Sequence, residues 1–122
     1  MIRYFEGNVT RATKGSAGYD IRVTDGAVVN PGETVVFHTG VKVHMDTDDV
    51  LLMFVRSSVG IKRHLMMSTG TSVIDSDFTD EIMIPLTNYG SYALFLPRGA
   101  IIGCRCGKSS ANGFESYHTE NN

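Results

Sequence analysis

Short runs of alternating apolar and polar residues, broken at intervals by Gly, Pro and Asn, organise this chain. The run Glu81-Ile82-Met83-Ile84-Pro85-Leu86 alternates, and Val41, Val43 and Met45 alternate with Lys42 and His44. Thr34 to Phe37 is β-branched and aromatic. Val50 to Val55 is continuously apolar, the pattern of a strand covered on both faces. Ser16 to Ile21 opens a strand, and Tyr92 to Leu96 and Ala100 to Cys104 add two more. Between the runs, Asp25-Gly26, Asn30-Pro31-Gly32, Asn88-Tyr89-Gly90, Pro97-Arg98-Gly99 and Asn112-Gly113 each suit a turn.

Helical periodicity is nearly absent, because no window carries apolar residues at i, i+3, i+4 and i+7 over three capped turns. The pattern predicts an all-β domain of short strands: a sandwich, jelly roll or small barrel. That domain takes up residues 1–107; residues 108–122 lose the pattern and read as a flexible C-terminal tail.

Composition narrows the function classes. The chain has 122 residues, 42% of them apolar, with 13 Gly and 3 Pro, which suits one globular, turn-rich domain. A formal charge of -2 and a pI near 6.0 argue against a nucleic-acid binder, which needs a basic excess. They leave room for an anionic small ligand, for which a few Arg and backbone N–H groups suffice. No apolar run reaches membrane-span length, and Met1 to Glu6 lacks a signal-peptide pattern, so the expectation is a cytoplasmic protein with no membrane partner. Cys104 and Cys106 share one face of a strand and read as reduced thiols rather than a disulfide.

Three segments could carry chemistry. Val73-Ile74-Asp75-Ser76-Asp77-Phe78 places two carboxylates and an aromatic ring within four positions, after the Ser68 to Ser72 run, at the mouth of a tight β-hairpin. A carboxylate held there can sit beside a water, and the ring can floor a flat or sugar-like ligand. If the segment is extended, Asp75 and Asp77 point the same way; the plainer reading makes them Asx-turn residues. Val55-Arg56-Ser57-Ser58-Val59-Gly60 offers a guanidinium, two hydroxyls and backbone N–H groups as a phosphate cradle, or else a turn with an exposed Arg. Ala17-Gly18-Tyr19-Asp20 offers a close backbone approach and an orienting carboxylate, or else a capped strand start. His38, His44, His64 and His118 lack metal-ligand spacing.

In order, these segments resemble the dUTP pyrophosphatase (dUTPase) family. Ala17-Gly18-Tyr19-Asp20 is similar to its first motif, Arg56-Ser57-Ser58-Val59-Gly60 to its second and Val73 to Phe78 to its third, with Pro31-Gly32-Glu33 and Thr39-Gly40-Val41 between them. The resemblance implies a dUTPase-like jelly-roll (β-clip) barrel of short strands in a homotrimer, with sites at subunit contacts. It implies hydrolysis of dUTP, a deoxynucleoside triphosphate, to dUMP and pyrophosphate with Mg2+. Asp75 would activate the water, and Phe78, where the family has Tyr, would pack on deoxyribose. Arg56, Ser57 and Ser58 would hold phosphates from a neighbouring subunit. Thr69, Gly70, Val73 and Phe114 complete the implied substrate-binding set. Asp20 would act through waters near the metal or support the trimer. The short chain adds an expectation of viral origin.

The chain departs from the family pattern at four places. Ser72 stands where the family has Gly, and Thr69 where it often has an Asn that reads uracil. A threonine hydroxyl lacks an amide, so base recognition leans on the backbone of Ser68 to Thr71. Ala100-Ile101-Ile102-Gly103 ends in Gly where the family has Gln, and the Gly-rich arm shrinks to Ser110 to Ser116, with Phe114 as a shortened stacking aromatic. Arg105 and Lys108 are candidate substitute cations. A dCTP deaminase, a relative on the same fold, needs a Glu three positions before an Asn; before Asn88 that place holds Pro85. The remaining rival is a non-catalytic or altered-specificity deoxynucleotide-binding protein on this scaffold.

Overall fold

A computed structural model describes residues 2–16 and 18–110. Its strands are β1 (Ile2–Glu6), β2 (Val9–Thr10), β3 (Tyr19–Arg22), β4 (Ala27–Val29), β5 (Thr34–His38), β6 (Lys42–Met45) and β7 (Asp49–Val55), followed by the helix α1 (Ser57–Arg63). After the helix come β8 (Leu65–Met67), β9 (Ser72–Asp75), β10 (Met83–Asn88), β11 (Leu94–Leu96) and β12 (Ile101–Ser110). Among the described residues every strand pairing is antiparallel.

Two larger sheets supply most of the interior. One is five-stranded, in the order β2-β3-β12-β7-β9; the other is three-stranded, β5-β10-β8. Ribbons β1-β6 and β11-β4 complete the fold. Alternation sends one face of each strand inward. Ile21, Leu51 and Met53 from the first sheet meet Phe37, Leu65, Met67, Ile84 and Leu86 from the second, with Val43 of β6, Val29 of β4 and Leu96 of β11 in the same cluster. This is the expected all-β architecture.

Asn88 ends β10 inside this interior. Its Nδ2 donates to Val29 O (2.9 Å) and Tyr92 O (2.8 Å), and its Oδ1 accepts the Gly90 N–H (2.8 Å). One buried amide thus ties β10 to β4 and to the turn entering β11. That turn holds Tyr92 outside β11, so the strand begins at Leu94, two residues later than the apolar run predicts.

Three other readings change. Residues 57–63 form a helix rather than a turn. Val59 anchors it in the core, and His64 ends it in the left-handed conformation (φ 56°), its N–H returning to Val59 O. Lys62 and Arg63 occupy the last turn, where cations complement the helix dipole. Among the described residues β7 is covered on one face only: Leu51 and Met53 are buried, while Phe54 on the other face is 46% exposed. β12 continues through Ser110 beside β7, so the first three residues read as tail are strand.

Candidate active site

The segment between β8 and β9 is a corner, not a hairpin. β8 pairs with β10 in the three-stranded sheet, and β9 pairs with β7 in the five-stranded one. The corner is closed by the Gly70 N–H donating to Met67 O (2.8 Å). Gly70 takes φ +73°, a conformation that a Cβ penalises, although among the described residues nothing lies within 4 Å of where that Cβ would sit. The Ser68 N–H donates to Pro85 O (2.9 Å), and the Ser68, Thr87 and Thr34 hydroxyls form a chain with 2.7 Å links that fixes the corner to the sheet.

A second hydroxyl chain sets the polarity of Thr69. Ser72 Oγ donates to Met67 Sδ (2.9 Å), and a thioether sulfur can only accept. Ser72 Oγ therefore accepts from Thr69 Oγ1 across their 2.8 Å contact. Thr69 is left with lone pairs to offer, so toward any further partner it is an acceptor.

β9 then presents the candidate chemistry. Val73 stands opposite Leu52 and is 59% exposed; Asp75 stands opposite Val50 and is exposed. The chain reverses at once, with the Phe78 N–H donating to Asp75 O (3.1 Å), which brings the backbone of residue 78 back to the strand end. The Ser76 hydroxyl pins this turn to Thr47 O (2.9 Å). Phe78 is 39% exposed, so part of this aromatic side chain is open to solvent. Asp77 lies in the turn, so it does not share a strand face with Asp75. Among the described residues no hydrogen bond or ion pair engages the Asp75 carboxylate.

Arg56 and Ser58 lie elsewhere. They border a cleft of about 450 Å3 with Val59, Lys62, Arg63, Pro97, Ala100 and Ile101. Ser57 opens α1 in the same segment, with its side chain outside the described atoms. Sequence reasoning missed Lys62 and Arg63; a seven-residue helix gives too little periodicity to place them beside Arg56. Thr69, Gly70, Val73, Asp75 and Phe78 thus form one group, and Arg56, Ser57 and Ser58 another. Asp75 pairs with the start of β7 while Arg56 follows its end, a separation of about 20 Å for six residues at strand rise.

Asp20 belongs to neither group. It is 5% exposed on β3, with position 105 of β12 opposite on one side and Thr10 of β2 on the other. Phe114 lies outside the described residues. Among the described residues no three His, Cys, Asp or Glu side chains cluster as a metal site. No helix among them is long and apolar enough to cross a membrane.

His38 Nδ1 bonds Glu81 Oε1 (2.8 Å), while Glu81 Oε2 accepts the Gly40 N–H (2.8 Å). The Glu81 carboxylate raises the His38 pKa; in return the imidazole, then the Gly40 N–H, lower that of Glu81. The pair fastens β5 to the residues before β10.

Comparison with known proteins follows this geometry. The family model for dUTPase matches residues 7–104. The deoxyuridine 5'-triphosphate nucleotidohydrolase of Serratia proteamaculans is 37% identical over 93 residues, covering 74% of this chain and 61% of that protein. The chain thus spans about three fifths of the length of the curated relatives it matches. The dUTPase of Streptococcus mutans superposes with a TM-score of 0.82 at 27% identity, over 88% of this chain and 95% of that one. A mutant dUTPase from phage phi11 of S. aureus, described with a structural Mg(II) ion, shares the fold (TM-score 0.79, 20% identity, 88% and 91% coverage). With a matching family model over most of its length, the chain belongs to the dUTPase family.

Proposed function

We propose that this protein hydrolyses dUTP to dUMP and pyrophosphate. The turn that ties the Phe78 backbone to Asp75 carries the reading: an exposed carboxylate, bonded to nothing among the described residues, with a partly exposed aromatic residue three positions on. Asp75 accepts a proton from a water as the water oxygen bonds to phosphorus. The bond between the α- and β-phosphates breaks, and pyrophosphate leaves. Phe78 stacks on deoxyribose, and Val73 and the Thr69–Gly70 corner contact the base. Arg56, Ser57 and Ser58 hold phosphates, the fork of Arg56 matching their oxygens. Phe114 covers the bound nucleotide.

The 20 Å between Asp75 and Arg56 supports a site shared between copies of the chain. So does the apolar outer face of β7 and β9, where Phe54 and Val73 remain half-exposed beside Leu52. We infer a homotrimer in which one subunit supplies the Asp75 group and a neighbour the Arg56 group. Mg2+ typically keeps several waters and binds substrate phosphates, so it fits a site without a protein cage. When bound, it neutralises phosphate charge. Asp20, nearly buried, suits holding that surface in place better than meeting a hydrated ion. The deoxynucleotide pool makes the cytoplasm the matching compartment.

One observation favours a broader-specificity reading. An acceptor at Thr69 serves any base edge that offers an N–H, including the amino group of cytosine. Pyrophosphate release from a panel of deoxynucleoside triphosphates with Mg2+ tests both readings. Release from dUTP alone supports strict uracil selection, release from dCTP as well supports the broader reading, and binding without release contradicts hydrolysis.

A further inference from the structure

Three cations border the cleft of about 450 Å3 beside α1: Arg56, Lys62 and Arg63. Among the described residues none of them has an ion-pair partner. The opposite wall, formed by Pro97, Ala100 and Ile101, supplies no side-chain donor. Ser58 and Lys62 are four residues apart on α1 and so share a helix face. Three positive charges gathered without a carboxylate repel one another, and a polyanion relieves that repulsion.

We propose that Lys62 and Arg63 bind the terminal phosphates of the deoxynucleoside triphosphate, extending the grip of Arg56 and Ser58 along the cleft. The assignment of a triphosphate rests on the hydrolase reading; the assignment of a phosphate-chain site rests on the cleft alone. Arg56 and Ser58 meet the phosphates at the start of the helix, and Lys62 and Arg63 meet the far end of the chain one turn later. The ligand class is therefore a pyrophosphate or triphosphate group, with a monophosphate too short to reach the second pair.

A purely structural role makes a different forecast. Cations in the last turn complement the helix dipole whatever ligand is present. Lys62→Gln/Arg63→Gln would then change thermal stability alone, or weaken all ligands together.

The test is calorimetric titration of the assembled protein with inorganic pyrophosphate, a non-hydrolysable imido analogue of dUTP, and dUMP. Lys62→Gln/Arg63→Gln is expected to weaken pyrophosphate and the imido analogue by about tenfold and dUMP by less than about twofold. Lys62→Arg/Arg63→Lys, which keeps both charges, is expected to retain binding. Should the double variant fail to fold, Lys62→Gln and Arg63→Gln are titrated singly. Unchanged affinity for pyrophosphate and the analogue overturns the proposal, as does a parallel loss of dUMP or a wild type that binds neither. A wild type that binds pyrophosphate through these residues but leaves dUTP uncut upholds the cleft assignment and sinks the hydrolase reading.

Discussion

Asp75 and Arg56 sit at opposite ends of β7: Asp75 pairs with Val50, and Arg56 follows Val55. The strand between them holds the two about 20 Å apart. In the proposed reaction, a water attacking phosphorus and a guanidinium gripping phosphate oxygens must both lie along one short triphosphate tail. A rigid sheet cannot bring its own two ends together, so one substrate meets both groups only when they come from different chains. The half-exposed apolar face around Leu52, Phe54 and Val73 is where such a partner gains by burying surface.

Asp75→Asn keeps the shape of the side chain and removes its basicity. Turnover of dUTP is expected to fall by about 10²–10⁴, the usual contribution of a positioned base. Affinity for a non-hydrolysable analogue should change little. Because Asp75 is exposed, the melting temperature should barely move. Rate and affinity measured on one preparation check this, and parallel loss of both would assign Asp75 to binding.

Gly70→Ala isolates backbone strain. The position holds φ +73° with open space around the missing Cβ, so no clash contributes. Forcing an L side chain into that region costs about 1–2 kcal/mol. Denaturant titration should show a loss of that size, and KM for dUTP should rise because the corner carries Thr69.

Stability should depend on pH through His38 and Glu81. The His38 pKa is raised from 6.5, so its contribution is complete below 6.5 and fades as pH rises through the higher folded value. Glu81 is lowered from 4.5, so its contribution is complete above 4.5 and fades as pH falls through the lower folded value. Between those limits both partners are charged. The melting-temperature gap between wild type and His38→Ala is expected to be widest near pH 5.5 and to shrink by pH 8.5, as thermal scans can show.

Asn88→Leu removes an amide that is 1% exposed and makes three hydrogen bonds. Leucine keeps the branched heavy-atom outline, though it is bulkier, and leaves Val29 O, Tyr92 O and the Gly90 N–H without this partner. Stranding the buried Val29 O costs about 1–3 kcal/mol, and the part-buried Tyr92 O and Gly90 N–H cost less because water can reach them. Denaturant unfolding should show a clear loss of stability. With its amide committed to the backbone, Asn88 is an architectural residue.

The sequence made the central strands legible because their period is simple. Ile82, Ile84 and Leu86 announce β10, and Val41, Val43 and Met45 announce β6, since one face of each meets the core. Edge and linker strands escaped notice for the opposite reason. β8 and β9 are three and four residues long, too short for a period, and their flanking Gly and Ser residues suggested one hairpin. Only the pairing partners, β10 and β7, reveal that the chain changes sheets there. α1 has seven residues, no side-chain N-cap bond and no acidic residue in its first turn, so none of the usual helix signals is present. For the proposed site, the ordered motifs single out Asp75, Phe78 and Arg56. Their separation, and the place of Lys62 and Arg63, depend on long-range pairing that no local pattern encodes.

Mixed assembly tests the central claim most directly. Asp75→Asn and Arg56→Gln each disable every site in their own oligomer. Unfolded together and reassembled, the two variants form some sites with an intact Asp75 from one chain and an intact Arg56 from another. The account predicts pyrophosphate release from dUTP by wild type, none above background by either variant alone, and a clear recovery in the mixture. A mixture as inactive as its parents, beside an active wild type, would contradict it.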